Sequence, residues 1–434
     1  MDRWEIANRE ASAVGLEVFE RGVLPPWLPM RQRIHDGRLA DIAAAVAATC
    51  AQPQIAAVWR PGLRVAIGVG SRGIDRLPEV VAALVAEVRR QGGDPFVFPA
   101  MGSHGGASGA GQQDMLAHLG VTEASVRAPV RSCMDTIRVG QVDGMAVWFD
   151  RTAAEGADLI IPVNRVKPHT DFHAPTESGL LKMIAIGMGK QRGADTFHAQ
   201  GFADFGRLIP AAARAACARL PIRFGLALLE DGRGNLAWVE AVPAASLEER
   251  EAVLLRRAHE WMPRLPGRRI DVLLIDRLGK DISGIGADTN VIHRYYTGPL
   301  PGEPQIQRLV VRGLTDATEG NASGIGLADV VLRRAVAALD PLATYMNCIT
   351  AKTPEGARLP LTVDTDRQAL HIALACCLRT EPEQAAIVRI SDTKHLEEIW
   401  VSVPLAATLR DDPRWEPLGE ARPIALDAGG MLPD

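Results

Sequence analysis

The feature that most constrains this chain is a unit repeated near its start: a short apolar run, a glycine-bearing loop, then a stretch with helical spacing. Val65-Ala66-Ile67-Gly68-Val69 runs into Gly70-Ser71-Arg72-Gly73, and residues 77–91 follow with Val80, Val81, Leu84, Val85 and Val88 on one helical face. After Gly92-Gly93, Pro95-Phe96-Val97-Phe98-Pro99 leads into Met101-Gly102-Ser103-His104-Gly105-Gly106 and a second helical stretch, 112–119. A third apolar run, 157–163, ends in Asn164-Arg165-Val166-Lys167-Pro168-His169. Strands that alternate with helices require a parallel sheet, and right-handed crossovers bring all three loops to its carboxyl edge. Open α/β sheets gather their ligands at that edge. The expected fold class is therefore α/β, with two domains of parallel or mixed sheets flanked by helices and the active site in the cleft between them.

Two domains are expected because 434 residues exceed one ordinary core. A Pro/Gly/Arg-rich stretch at 263–269 breaks the helical pattern of 247–261, and Ile270-Asp271-Val272-Leu273-Leu274-Ile275 starts a new strand. The domains are placed at 1–265 and 266–434. Later strands are expected at 308–311, 386–390 and 399–403, and helices at 327–339 and 367–378. The 48 basic and 52 acidic residues are intermixed, so no charged face invites nucleic acid or anionic lipid. No apolar run approaches the ~20 residues needed to cross a bilayer, and a cytoplasmic protein is expected. Six scattered cysteines without a Cys-x-x-Cys pair read as buried thiols, not as a disulfide framework or zinc site.

Chemistry concentrates at His169, His173, Lys182 and His198, which fall within thirty residues. Histidine can accept a proton, donate one or bind a metal near neutral pH. Any one of them alone reads more simply as a structural imidazole. Lys182 lies in Leu180-Leu181-Lys182-Met183-Ile184, where it either snorkels to solvent or is held desolvated as a nucleophile. The run from Gly187 to Gly193 adds small residues, Lys190 and Arg192, a combination suited to a nearby phosphate but without Walker spacing. The two glycine loops read first as tight turns, yet Arg72 could grip a carboxylate, and no turn requires His104. Gly68, Gly70 and Gly73 match a dinucleotide fingerprint, but Pro99-Ala100-Met101 stands where the ribose-binding acid belongs. In the second half, Lys280 to Arg294 is dense in charge, amide and glycine, either a solvated loop or a second wall for a ligand.

Taken in order, the Arg72 loop, Gly102-Ser103-His104, the Pro168-His169 segment leading through Ser178-Gly179 to Lys182, and His198 sixteen residues later resemble the nickel-dependent lactate racemase family, over about residues 65–294. The resemblance implies an isomerase, a racemase or epimerase of a small 2-hydroxy acid. Its cofactor would be the nickel-pincer nucleotide, pyridinium-3,5-bisthiocarboxylic acid mononucleotide nickel, attached covalently to Lys182 and supplied by cofactor-building partner enzymes. His198 would bind the nickel, with Ser178 and Gly179 beside the cofactor. His104 and His169 would exchange the substrate's hydroxyl proton, with His173 as rival to His169. Arg72, Lys280 and Arg294 would hold substrate. Residues 1–265 become the cofactor-binding domain and 266–434 the domain closing the cleft. The family's acidic residue before the arginine is missing, and Gly179-Leu180 replaces a glycine pair, so the substrate stays open between lactate and a bulkier or more polar 2-hydroxy acid. Other readings are a non-enzymatic carrier of the nickel nucleotide, or a redox or isomerase reaction on another hydroxy compound. A metallohydrolase would need a carboxylate beside His198, for which Asp195 and Asp204 are nearest in sequence.

Overall fold

The structure, a computed structural model, describes residues 16–20, 22–71, 73–296 and 302–433. It divides into two compact units, one continuous from His35 to Met262, the other joining the described residues up to Ile34 with those from Pro263 onward. The division thus falls three residues before the expected one, and the stretch ahead of His35 belongs with the far end of the chain. The cause is β1 (Trp27–Gln32), whose partners are the last two strands of the sequence.

In the continuous unit the strands are β2 (Arg64–Val69), β3 (Asp94–Pro99), the hairpin β4 (Thr136–Val142) and β5 (Met145–Asp150), β6 (Leu159–Arg165), β7 (Phe224–Glu230) and β8 (Leu236–Pro243). Five form a sheet in the order β3-β2-β6-β7-β8, parallel except for β8. Alternate residues serve opposite faces, as the pleat requires. Val65, Ile67, Val69, Val97 and Ile161 pack against the helix Leu77–Arg90. Ala66, Phe96, Phe98 and Ile160 join the core formed with the helices Leu180–Ala185, Phe205–Arg219 and Leu247–Trp261. The expected strands and helices of this unit are present within a few residues. The second helix starts early, at Gly109, because the Ser108 hydroxyl accepts from the Gly111 amide at 3.1 Å.

The discontinuous unit adds β9 (Arg269–Ile275), β10 (Gln305–Val311), β11 (Val330–Leu332), β12 (Leu361–Val363), β13 (Ile387–Ile390), β14 (Glu398–Ser402) and β15 (Trp415–Pro417). Their order with β1 is β12-β11-β10-β9-β13-β14-β1-β15, parallel as far as β13 and antiparallel beyond. One expectation fails here. Residues 327–339 are not a single helix, since Val330-Val331-Leu332 is a fully buried strand between β10 and β12 and the helix spans only Arg333–Ala337. Paired valines favour a buried pleated slot, and tertiary packing overrode the helical spacing. Among the described residues no helix is long and apolar enough to cross a membrane. All six cysteines are free thiols, but only Cys50 and Cys348 are buried and the other four are partly exposed.

A buried charge network fastens the end of the chain to this sheet. Arg312, 1% exposed, grips both oxygens of Asp366 at 2.8 and 2.9 Å and reaches Asp276 at 2.7 Å. Arg389 shares Asp276 at 2.9 Å, and the two guanidinium groups also hold the carbonyls of Leu432 and Pro433. Arg312→Met would leave Asp366 charged in a dry interior, a loss expected to cost about 3–5 kcal/mol. Denaturant unfolding followed in the discontinuous unit tests this, and an unchanged midpoint would show that the network holds nothing.

Candidate functional site

Where β6 ends at Arg165 the backbone leaves its ladder and enters a loop that must find other partners. Lys167 and Ser178 pair across its mouth, amide to carbonyl at 2.9 and 3.3 Å. Inside it the buried Glu177 carboxylate accepts from the amides of His169 (2.6 Å) and Ala174 (3.2 Å) and faces His173 Nδ1 at 3.2 Å. The loop is thereby folded back so that His169 Nε2 lies 2.5 Å from Lys182 Nζ, one turn into the helix Leu180–Ala185. His169 is thus an imidazole that meets the lysine.

The Asp171 amide donates to His169 Nδ1 at 3.0 Å, and the Asp171 carboxylate lies 3.6 Å from the same nitrogen. The Lys182–His169 contact can form with an Nε2–H facing an uncharged amine or with an ammonium facing an Nε2 lone pair, so it couples the protons of the two groups.

The Lys182 helix is anchored by a residue that sequence inspection did not reveal. Glu251, from the helix Leu247–Trp261, accepts from the Leu181 amide at 3.1 Å. Its carboxyl fills the space a side chain at Gly179 would take, for a Cβ there would lie 2.4 Å from it. The Gly179 carbonyl accepts from Asn164 Nδ2 at 2.8 Å. Ser178 and Gly179, expected beside a cofactor, thus have local structural duties: one closes the loop, the other admits Glu251. Burial pushes the Glu251 carboxyl up to about 7, against the opposing pull of the Leu181 and Leu180 amides.

His198 closes the next helix, Lys190–His198, half-buried, with its ring stacked on Phe205 at 6.0 Å and 6.1 Å from Phe202. His169 is 6.0 Å from the same Phe202 and 4.5 Å from Phe172. The structure therefore brings Lys182, His169 and His198 to one aromatic cluster. His104 arrives from the loop after β3, which rests on the segment joining Lys182 to His198: the Gly102 amide donates to the Gly187 carbonyl at 3.0 Å, and Gly102 backs onto Ala194. The exposed His104 ring has Nδ1 2.7 Å from the Met101 carbonyl. A carbonyl only accepts, so in a neutral ring this contact puts the hydrogen on Nδ1. Gly105 is obligatory, at φ +68° and with a would-be Cβ 2.5 Å from the Gly111 backbone.

Other expectations fare differently. Arg72 lies outside the described residues; its loop starts at Gly70 against Met183 of the Lys182 helix and is fastened at Asp75, whose amide donates to Glu230 at 3.1 Å. Glu230 is also paired with Arg165. The run from Gly187 to Gly193 is no phosphate cradle: Lys190 is wholly buried, and the Arg192 guanidinium lies over the Trp148 ring at 3.6 Å. Gly68 faces Met188 in the core, so the dinucleotide pattern is a packing feature. In the discontinuous unit, Lys280 bonds to the Gly284 carbonyl and to Asn347. Arg294 bonds to the carbonyls of Leu327, Ile306 and Gln307 and pairs with Asp329 at 2.7 Å. These donors tie the loop to neighbouring segments of the same unit. An open groove of about 660 Å³ in that unit is lined by Arg268, Arg269 and Arg414, each paired with its own acid, and by none of the candidate residues. Among the described residues no group of three or more His, Cys, Asp or Glu side chains is placed to hold a metal ion.

No protein-family model matches the sequence, and no curated protein matches it. Among solved structures, the fold is similar to that of the lactate racemase apoprotein from Thermoanaerobacterium thermosaccharolyticum, with a TM-score of 0.51 and 14% identity over 85% of this chain and 98% of that one. The likeness is one of fold, mixed sheets flanked by helices.

Glu251 generates a pH test. Below the unfolded-state value of 4.5 both states hold the proton; between 4.5 and about 7 the unfolded chain ionises while the folded site does not, so stability falls as pH rises and levels off above 7. The loss attributable to Glu251 is about 3 kcal/mol. Denaturation midpoints at pH 5 and pH 8 should separate for the wild type and converge for Glu251→Gln. Equal pH dependence in both proteins would remove Glu251 as the cause.

Proposed function

We propose that this chain is an isomerase, a racemase or epimerase of a small 2-hydroxy acid, with a nickel-pincer nucleotide joined to Lys182. The observation that carries the reading is the Lys182 amine beside His169 Nε2. Attachment of a carboxyl-derived group to lysine needs an unprotonated nitrogen, and an imidazole within hydrogen-bond reach is a group to which that proton could pass. The donor set also fits: His198 can give one nitrogen ligand, and a cofactor that brings its own sulfur and carbon donors needs no further protein ligands. When bound, that group would supply a reversible acceptor for the hydride at C2 of the substrate.

The chain's residues do the rest. An acylated Lys182 nitrogen no longer accepts strongly, so His169 is released to exchange a proton with the substrate hydroxyl. His104 serves the opposite hand. Inversion requires a base for each, because the planar keto intermediate is reduced from either face. Arg72 is assigned to the substrate carboxylate.

Intact-protein mass spectrometry with nickel analysis, on protein produced together with the cofactor-building enzymes, tests the tether. The wild type should carry a mass increment and nickel, and Lys182→Ala neither. His198→Ala should keep the increment and lose nickel. His104→Ala should keep both but lose deuterium exchange at C2 of 2-hydroxy acids by roughly a hundredfold or more. An increment with no exchange on any acid would favour a nucleotide carrier, and no increment in the wild type would sink the tethered reading.

A further inference from the structure

We infer that Lys190 is a positioning residue that sets the His104 loop and the His198 helix relative to each other. Its backbone lies at φ 55° and ψ −159°, a region that belongs almost to glycine alone. Glycine stands nearby at 187 and 189, yet this position holds a lysine with no exposed surface. What the lysine provides is an ammonium that makes two hydrogen bonds, to the Pro99 carbonyl at 2.6 Å and Gln112 Oε1 at 3.0 Å, and an ion pair with Asp150 Oδ2 at 3.0 Å.

Each acceptor leads to a different element. Pro99 is the last residue of β3, from which the His104 loop departs. Gln112, also fully buried, turns its amide nitrogen to the carbonyls of Gly102 (2.8 Å) and His104 (3.3 Å). Asp150 ends β5, and its other oxygen caps the following helix at Ala153. On the backbone side, Lys190 begins the helix that carries His198 at its end. Burial pushes Asp150 up and Lys190 down, so each opposes its own charge and the pair persists through mutual attraction. An apolar pair of similar size would be about as stable, and a glycine at 190 would relieve the backbone strain. Stability alone therefore does not account for the arrangement, whereas the distribution of its three contacts does. The functional meaning rests on the roles proposed for His104 and His198; the geometry does not.

The test is Lys190→Met combined with Asp150→Asn, which leaves no buried charge and keeps an oxygen to cap Ala153. Hydrogen–deuterium exchange should become about tenfold faster or more in residues 100–107, where the amides of Gly102, His104 and Ala107 are bonded, while β2 and β6 keep their protection. In the nickel-loaded protein kcat for C2 exchange should fall about tenfold or more with KM near the wild-type value, the split expected when only the reacting groups are displaced. Unchanged protection in 100–107 overturns the inference, and a loosened loop with unchanged kcat reduces Lys190 to a structural role. Should the double variant not fold, Gln112→Met cuts the line from Lys190 to the loop and must loosen 100–107 in the same way, or the inference falls. The exchange arm needs no cofactor, so a wild type without nickel would defeat the proposed function while the positioning of the loop is still decided.

Discussion

Once β3, β2, β6 and β7 pair in parallel, none of their connections can be a tight turn. Each must cross a face of the sheet and return, so every strand ends on one edge and every loop begins there. That edge is also where backbone groups lose their ladder partners, and buried amides and carbonyls cannot go unpaired. Side chains replace the ladder. Asn164 takes the Gly179 carbonyl, Gln112 those of Gly102 and His104, Glu230 the Asp75 amide, Glu177 the His169 amide and Glu251 the Leu181 amide. The candidate site is what this replacement leaves in place: loops held by polar groups of which Gln112, Glu177 and Glu251 are themselves buried.

The same dry setting separates two lysines that look alike in sequence. Both lie among apolar or small residues. Lys190 has two hydrogen bonds, an ion pair and no exposed surface, which makes it a fixed strut. Lys182 is only partly buried, and its nitrogen faces the His169 ring. The first is held by groups that belong to the frame, the second meets a group that can itself take up or release a proton.

The strands legible from sequence were those buried on both faces, such as Val65 to Val69 and Phe96 to Phe98, where apolar runs are continuous. β1 was illegible for the opposite reason: Trp-Leu-Pro-Met-Arg-Gln is short and mixed, and its partners lie more than three hundred residues away. Val330 to Leu332 was misread because a three-residue strand beside a helix offers too little pattern to set its period. At the site, the clustering of His169, Lys182 and His198 was visible because all three lie in one segment. Glu251 and Lys190 were not, since their partners at Leu181, Pro99 and Gln112 stand 70, 91 and 78 positions away. A local signal survives for each in retrospect: Gly179 before the Lys182 helix marks a side chain that must be absent, and a lysine after Gly187-Met188-Gly189 marks a turn where glycine would be cheaper.

His104, His169, Lys182 and His198 all come from the continuous unit, between β3 and the start of the helix Phe205–Arg219. Their mutual placement follows from one sheet and the side chains that tie its edge loops, so it does not depend on the orientation of the other unit. Lys280 and Arg294 bind carbonyls and side chains within the discontinuous unit. The division of labour is then physical. A parallel sheet with a charged strut beneath it fixes the four residues, and a second sheet is held by the pairing of β1 with β14 and β15 and by the Arg312–Asp366 pair. What the first sheet assembles is specific in chemical type: an amine and two imidazoles beside one aromatic cluster, with a third imidazole on the loop after β3.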